Sequence, residues 1–150
     1  MARAQSIEGV CLAGQLRRTA RAVSRVQDLA LAPIGLSAAQ FSLLASLIAA
    51  ASSPDQPVPL GDLARRLAMD RSTLHRNLLP LSEAEFLVVE GRRGRRGSTV
   101  TATAKAHDAL NRALPMWQAC QQTLVATVGE GDSGRLLAAL QRLANAEPPI

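Results

Sequence analysis

Residues 60–97 read LGDLARRLAMDRSTLHRNLLPLSEAEFLVVEGRRGRRG. Two short helical patterns lie back to back in this stretch. Leu63, Leu67 and Leu74 are spaced to make the shared core of two crossing helices, and Ala64 is small where they approach. Ala68, Met69 and Asp70 form the tight connection, and Asp70 is a good N-cap for the second helix. Phe86 to Glu90 is rich in β-branched and aromatic residues and predicts a strand. A hairpin tip follows, in which Gly91, Gly94 and Gly97 punctuate Arg92, Arg93, Arg95 and Arg96, and Ser98 to Thr101 returns as a second strand. Helix, turn, helix and basic hairpin in that order describe a helix-turn-helix with a wing.

The first turns of the second helix carry Arg71, Ser72, Thr73, His75 and Arg76. These are donors and acceptors suited to base edges and phosphates, and a helix N-terminus itself favours phosphate. Ser72, Thr73 and Arg76 are assigned to a DNA groove, with His75 beside them. Arg71 is placed to reach phosphate or to pair with Asp70. An ordinary helix pair with a solvated polar face is the competing interpretation. The tip weighs against it, because like charges packed this densely repel one another. A fold tolerates them most easily where they meet a polyanion, and a narrow minor groove concentrates the negative potential they need. A solvated hairpin tip is the alternative for the arginines alone.

Working outward, the chain predicts a first helix over 6–32, capped by Ser6 with Glu8 in its first turn. Leu12, Leu16, Thr19, Val23, Val26 and Ala30 recur on it as a heptad-like seam, and Arg18, Arg21 and Arg25 share another face. Ser37 caps a second helix to about Ala51, with Phe41, Leu44 and Ile48 on one stripe. Residues 52–59 hold Pro54, Pro57 and Pro59 and predict a loop. Helices over 60–67 and 70–81 form the central pair, and Ser82 to Glu85 begins another turn or continues the second. A long helix over 102–128 contains Pro115, which is expected to bend it or break its ladder. Asp132 or Ser133 caps a last helix to Ala146, striped by Leu136, Leu137, Leu140 and Leu143. The expected fold class is mainly α, with two or three strands among six helices in a single domain over 1–150.

Bulk properties agree. Formal net charge is +5, and Lys105 is the only lysine, so arginine carries nearly all the positive charge. Arginine forks onto phosphate or guanine, which favours an anionic partner, although a GC-rich genome also favours arginine codons. Phe41, Phe86 and Trp117 are the only aromatic residues, too few for a single-strand stacking platform. Cys11 and Cys120 do not make a disulfide framework. No signal-peptide pattern appears, and the apolar run around 43–51 is too short to span a membrane, so a cytoplasmic protein is expected. His75 and His107 are the only histidines and stand in no metal-ligand spacing; no Gly-rich loop follows a strand. The expectation is therefore no enzyme and no cofactor. A nonspecific DNA-packing protein is a rival reading, which would bind with a steep salt slope and little base preference.

The chain resembles the MarR family of winged helix-turn-helix regulators from about residue 10 to 145. The resemblance rests on LRRTARAVSRVQDLAL at 16–31, GLSAAQFSLLASL at 35–47, the reader LARRLAMDRSTLHRNLLPL at 63–81, the wing, and ALPMW at 113–117. It implies a homodimer whose terminal helices (6–32 and 102–146) interlock, while the winged segment (37–101) reads a pseudo-palindrome. It also implies a repressor released by a small aromatic or phenolic effector, for which Arg17, Arg21, Phe41, His107 and Trp117 are candidate contacts. Phe41 and Trp117 also qualify as core residues. Some branches of the family sense oxidants through cysteines, and Cys11 and Cys120 occupy similar places. Yet Glu8 stands one turn before Cys11, Arg17 is more than a turn away, and tyrosine is absent. Buried apolar cysteines are the competing reading. Three departures from the family pattern stand out. Only Glu90 is an acid near the wing arginines, leaving Arg93 or Arg95 for the key role. Val100 and Thr101 are followed by Ala104 where a glycine is usual. Asn77 stands at a usually apolar position of the reader, as a buried hydrogen-bonded group or a DNA contact.

Overall fold

The computed structural model describes residues 11–91 and 97–146. The chain forms α1 (Leu12–Leu31), a 3₁₀ turn (Ala32–Ile34), α2 (Ala38–Ala50), β1 (Val58–Pro59), α3 (Leu60–Arg66) and α4 (Arg71–Glu83). It continues through β2 (Leu87–Glu90), β3 (Thr99–Ala102), α5 (Ala104–Val128) and α6 (Glu130–Ala144). The antiparallel sheet has the order β1-β3-β2, with Val88 opposite Thr101 and Val58 opposite Val100.

Helix α2 is the centre of the molecule because it is apolar on more than one face. Leu43, Leu44 and Leu47 point into a core shared with Leu63, Leu74, Leu78, Leu81, Leu87 and Val100. Phe41 points the other way, against Leu31 and Ala113, with Trp117 beside them. A helix buried on both sides needs its free N–H groups satisfied without water. Ser37 and Gln40 form a reciprocal capping box, and Asp28 from α1 accepts a third bond from the Ala38 amide at 2.7 Å. That last bond ties the α1–α2 corner.

Several expectations change. The first helix begins at Leu12, with Cys11 as its N-cap in an extended conformation; Ser6 and Glu8 lie outside the described residues. Residues 58–59 are an edge strand and not loop, and Pro59 is tolerated because an edge need not donate. Helix α4 runs through Pro80 to Glu83, so Ser82 and Glu83 continue it instead of opening a separate turn. Helix α5 starts two residues later than expected and, as expected, carries Pro115 inside it. The last helix starts at Glu130 after Gly129, so neither Asp132 nor Ser133 caps it; Ser133 Oγ instead donates to the Glu130 carbonyl at 2.9 Å. Helix α5 is opened by Thr103 as its N-cap, one residue beyond the expected start at 102. The Thr103 hydroxyl oxygen accepts from the Ala106 amide, and Ala106 is the fully buried small residue at the crossing.

The outer helices differ from the centre. α6 has no buried residue, and Leu136, Leu137 and Leu143 are exposed on it. On the predicted seam of α1, Leu12, Thr19 and Val26 are exposed, while Leu16, Val23 and Ala30 are half-buried. Among the described residues no single helix is long and apolar enough to cross a membrane.

Candidate nucleic-acid interface and effector cleft

Helices α3 and α4 meet through Leu63, Leu74 and Ala64, all nearly inaccessible to solvent. The turn between them is closed by Met69 N donating to the Ala64 carbonyl at 2.9 Å. Ala68 holds a left-handed backbone there, with φ 50°. A glycine would adopt that conformation at lower cost.

Asp70 then starts α4. Its carboxylate accepts from the Thr73 amide at 2.8 Å, from the Ser72 hydroxyl at 2.5 Å and from the Thr73 hydroxyl at 2.7 Å. The Ser72 bond first, then those from Thr73, hold the Asp70 carboxyl far below the usual carboxylate range. A depressed carboxyl stabilises the fold at pH values above its unfolded pKa, about 4, and loses that contribution as pH falls further. The stability margin of the native chain over Asp70→Ala should therefore be constant near neutrality and shrink in thermal melts below about pH 4. A margin that does not change in acid would mean that the charge contributes nothing to the cap.

The predicted reader residues share one end of α4. Arg71, Ser72 and Arg76 are exposed there, and Thr73 and His75 are half-buried. Arg76 Nη2 donates to Thr73 Oγ1 at 3.4 Å. Arg71 does not pair with Asp70: its guanidinium lies over Gly61 in α3, where a β-carbon would meet Nη2 at 3.4 Å. Asn77 is exposed, not buried, and its amide donates weakly to Met69 Sδ at 3.7 Å. At the far end of α4, Lys105 of α5 donates to the Ala84 carbonyl at 2.8 Å and lies over the Phe86 ring. A cation on a helix's last carbonyls suits the macrodipole. The sequence reading missed this tie between the reader and the long helix; a lone lysine in an arginine-rich chain was the available signal.

The wing starts where β2 ends. Gly91 has φ 102°, and a β-carbon there would lie 2.9 Å from Ser98 Cα, so only glycine fits. Arg92, Arg93, Arg95 and Arg96 lie outside the described residues.

A cleft of about 410 Å³ opens between α1, α2 and α5. Phe41 and Trp117 line it, stacked with ring centroids 6.0 Å apart. Both are thus core and cleft residues at once. Gln27, Ser46 and Gln121 join them, and Arg66 enters from α3. Sequence periodicity had not singled out these four, because single polar residues on four separate helices look like ordinary solvated positions. Arg17 and Arg21 are exposed on α1 and line no part of this cleft. His107 stands apart from it too, with Nε2 buried and without a hydrogen-bond partner. Cys11 is half-buried, its sulfur accepting from the Gly14 amide at 3.4 Å; Cys120 is buried, and both are free thiols. Among the described residues no His, Cys, Asp and Glu grouping suited to a metal is present.

A helix pair with a polar reader terminus, a three-stranded sheet running into a wing, and long outer helices define a winged helix-turn-helix protein. Neither a sequence-family profile nor a curated protein sequence matches the chain. Solved structures do. The transcriptional regulator MosR of M. tuberculosis, in complex with DNA, is 30% identical over 90% of this chain and 94% of its own, with a TM-score of 0.77. A second MosR structure is 33% identical, over 93% of this chain and 99% of its own, with a TM-score of 0.74. MarR of E. coli complexed with operator DNA shares the fold at 20% identity, with 91% and 96% covered and a TM-score of 0.76. The repressor CouR, bound to a 23-mer DNA duplex, is 25% identical over 89% of this chain and 92% of its own, with a TM-score of 0.72. The chain belongs to the MarR family of winged helix-turn-helix transcriptional regulators, a family of regulators and not of enzymes.

Proposed function

We propose that this protein is a homodimeric, sequence-specific DNA-binding regulator of the cytoplasm. It acts as a repressor that a small aromatic or phenolic effector releases from a pseudo-palindromic operator. The observation that carries this reading is the exposed first turn of α4. There Ser72, Thr73 and Arg76 are tied to one another through Asp70 and so are set before DNA arrives. Preset side chains lose less entropy on binding than free ones. Two such helices in a dimer would enter successive major grooves about one DNA turn apart. The wing arginines 92, 93, 95 and 96 would hold the neighbouring backbone or minor groove.

The cleft supports the effector half of the reading. It joins the outer scaffold, through α1 and α5, to the reader lobe, through Arg66 of α3. An aromatic ring against Phe41 and Trp117 with an acidic or phenolic oxygen near Arg66 would suit its lining. Such a ligand shifts the reader only if it binds one arrangement of the lobes better than the other. CouR has also been captured with p-coumaroyl-CoA.

The test is binding of the purified protein to its own upstream DNA against a scrambled duplex at two salt concentrations. Strong preference for the native sequence is expected. Equal, steeply salt-dependent binding to both would instead support the DNA-packing alternative. Within the specific complex, Arg76→Ala should cost about 1–3 kcal/mol and relax base preference. Unchanged affinity and preference would remove Arg76 from the reading face.

A further inference from the structure

Asp70 does more than cap a helix. Its two carboxylate oxygens accept both side-chain hydroxyls of the reader's first turn, Ser72 Oγ at 2.5 Å and Thr73 Oγ1 at 2.7 Å. An ionised carboxylate has no proton to give, so each hydroxyl must spend its only hydrogen on Asp70. What Ser72 and Thr73 can still offer is lone pairs. Thr73 commits one of these to Arg76 Nη2. The turn therefore has fixed polarity, with acceptors at 72 and 73 and a donor fork at 76.

That polarity has a consequence for base recognition. A free serine or threonine hydroxyl serves either donor or acceptor bases and discriminates poorly. An acceptor-only hydroxyl needs an N–H partner. In the major groove those partners are the exocyclic amino groups, N4 of cytosine and N6 of adenine. Phosphate oxygens are acceptors and are repelled by the same array, so Ser72 and Thr73 are unsuited to the backbone. We propose that Asp70 determines specificity by turning Ser72 and Thr73 into acceptors that select cytosine or adenine amino groups, while Arg76 donates to guanine. This rests on the reading of α4 as the DNA-reading helix.

The experiment selects preferred sites from a library of randomised duplex DNA. It compares the native chain, Asp70→Asn, the pair Ser72→Ala/Thr73→Val, and all three changes together. Asparagine keeps an N-cap oxygen but removes the charge, and its amide donates to a hydroxyl, freeing that hydrogen to turn outward. The native chain should favour cytosine or adenine over guanine or thymine by roughly tenfold at the positions that the Ser72→Ala/Thr73→Val pair renders indifferent. Asp70→Asn should lose that preference at the position read by the freed hydroxyl and retain it at the position of the hydroxyl still held by the amide oxygen. It should also keep the guanine preference assigned to Arg76, and bind scrambled duplex as well as the native chain or better. In the background lacking both hydroxyls, Asp70→Asn should alter base preference no further. A native profile with guanine or thymine at those positions overturns the proposal without any variant being needed. So does an Asp70→Asn profile identical to the native one. A native chain that selects no sequence at all overturns the regulator reading itself, an outcome distinct from both.

Discussion

Leu74→Ala is expected to lower stability by about 2–5 kcal/mol, and to weaken operator binding while every side chain proposed to face DNA is still present. Leu74 is fully buried, on the side of α4 opposite the reading residues, in the core that contains Leu63, Leu78 and Leu81. Truncation removes methyl groups that the neighbouring leucines cannot replace without moving α4 toward α3. The cost combines lost transfer energy with the cavity left behind. For a chain of this size it should lower the melting temperature by roughly 10 °C at fixed protein concentration. Leu79→Ala is the control. Leu79 lies on the same helix but is 45% exposed, and its truncation should stay within about 0.5 kcal/mol. Equal melting temperatures for the two variants would mean that α4 is not held on the core by Leu74.

The contrast between Leu74 and Leu79 shows why the centre of this fold was legible in the sequence. Residues 60–90 combine helical spacing, an N-cap aspartate and a β-branched strand, all local signals pointing to one arrangement. Pro80 and Pro115 lie inside helices whose expected spans already ran past them, and the surrounding turns keep their packing, Leu78 and Leu81 about the first and Ala113 about the second. Boundaries slipped where a local rule was outvoted. Pro59 pairs in a strand because β3 offers an open edge beside it. The cap of α5, Thr103, was not read, since its hydroxyl bonds to Ala106, Glu85 and Phe86 depend on the packed fold. The candidate site divides the same way. The candidate reader residues are adjacent in sequence, so their sharing one end of α4 was legible. The cleft draws on four helices, and only its stacked pair, Phe41 and Trp117, stood out in an aromatic-poor chain. Arg66 could be placed there only once α3 had been packed against α2.

The outer helices pose the remaining physical problem, and a second substitution addresses it. Helix α6 exposes Leu136, Leu137 and Leu143, while α1 exposes Leu12, Val26 and Leu29 and α5 exposes Leu114 and Val128. A fifteen-residue helix with no buried residue is marginal in water unless its apolar stripe finds a partner. A second copy of the chain is the partner this reading requires. In a two-fold dimer each α6 residue occurs twice, so Leu136→Glu/Leu137→Glu introduces four carboxylates at or near one interface. Losing four leucine contacts at about 1.5 kcal/mol or more each, with carboxylate desolvation added, amounts to on the order of 6 kcal/mol. That is roughly four orders of magnitude in the dimer dissociation constant. Sedimentation should show a monomer, while circular dichroism retains the helical signal, since neither leucine belongs to either core. Operator affinity should fall steeply, because each monomer would bring only one reader helix to a two-half site. If the variant sediments as a dimer with native operator affinity, the α6 stripe is not the contact surface. The dimer proposed here would then have to close through α1 and α5 alone.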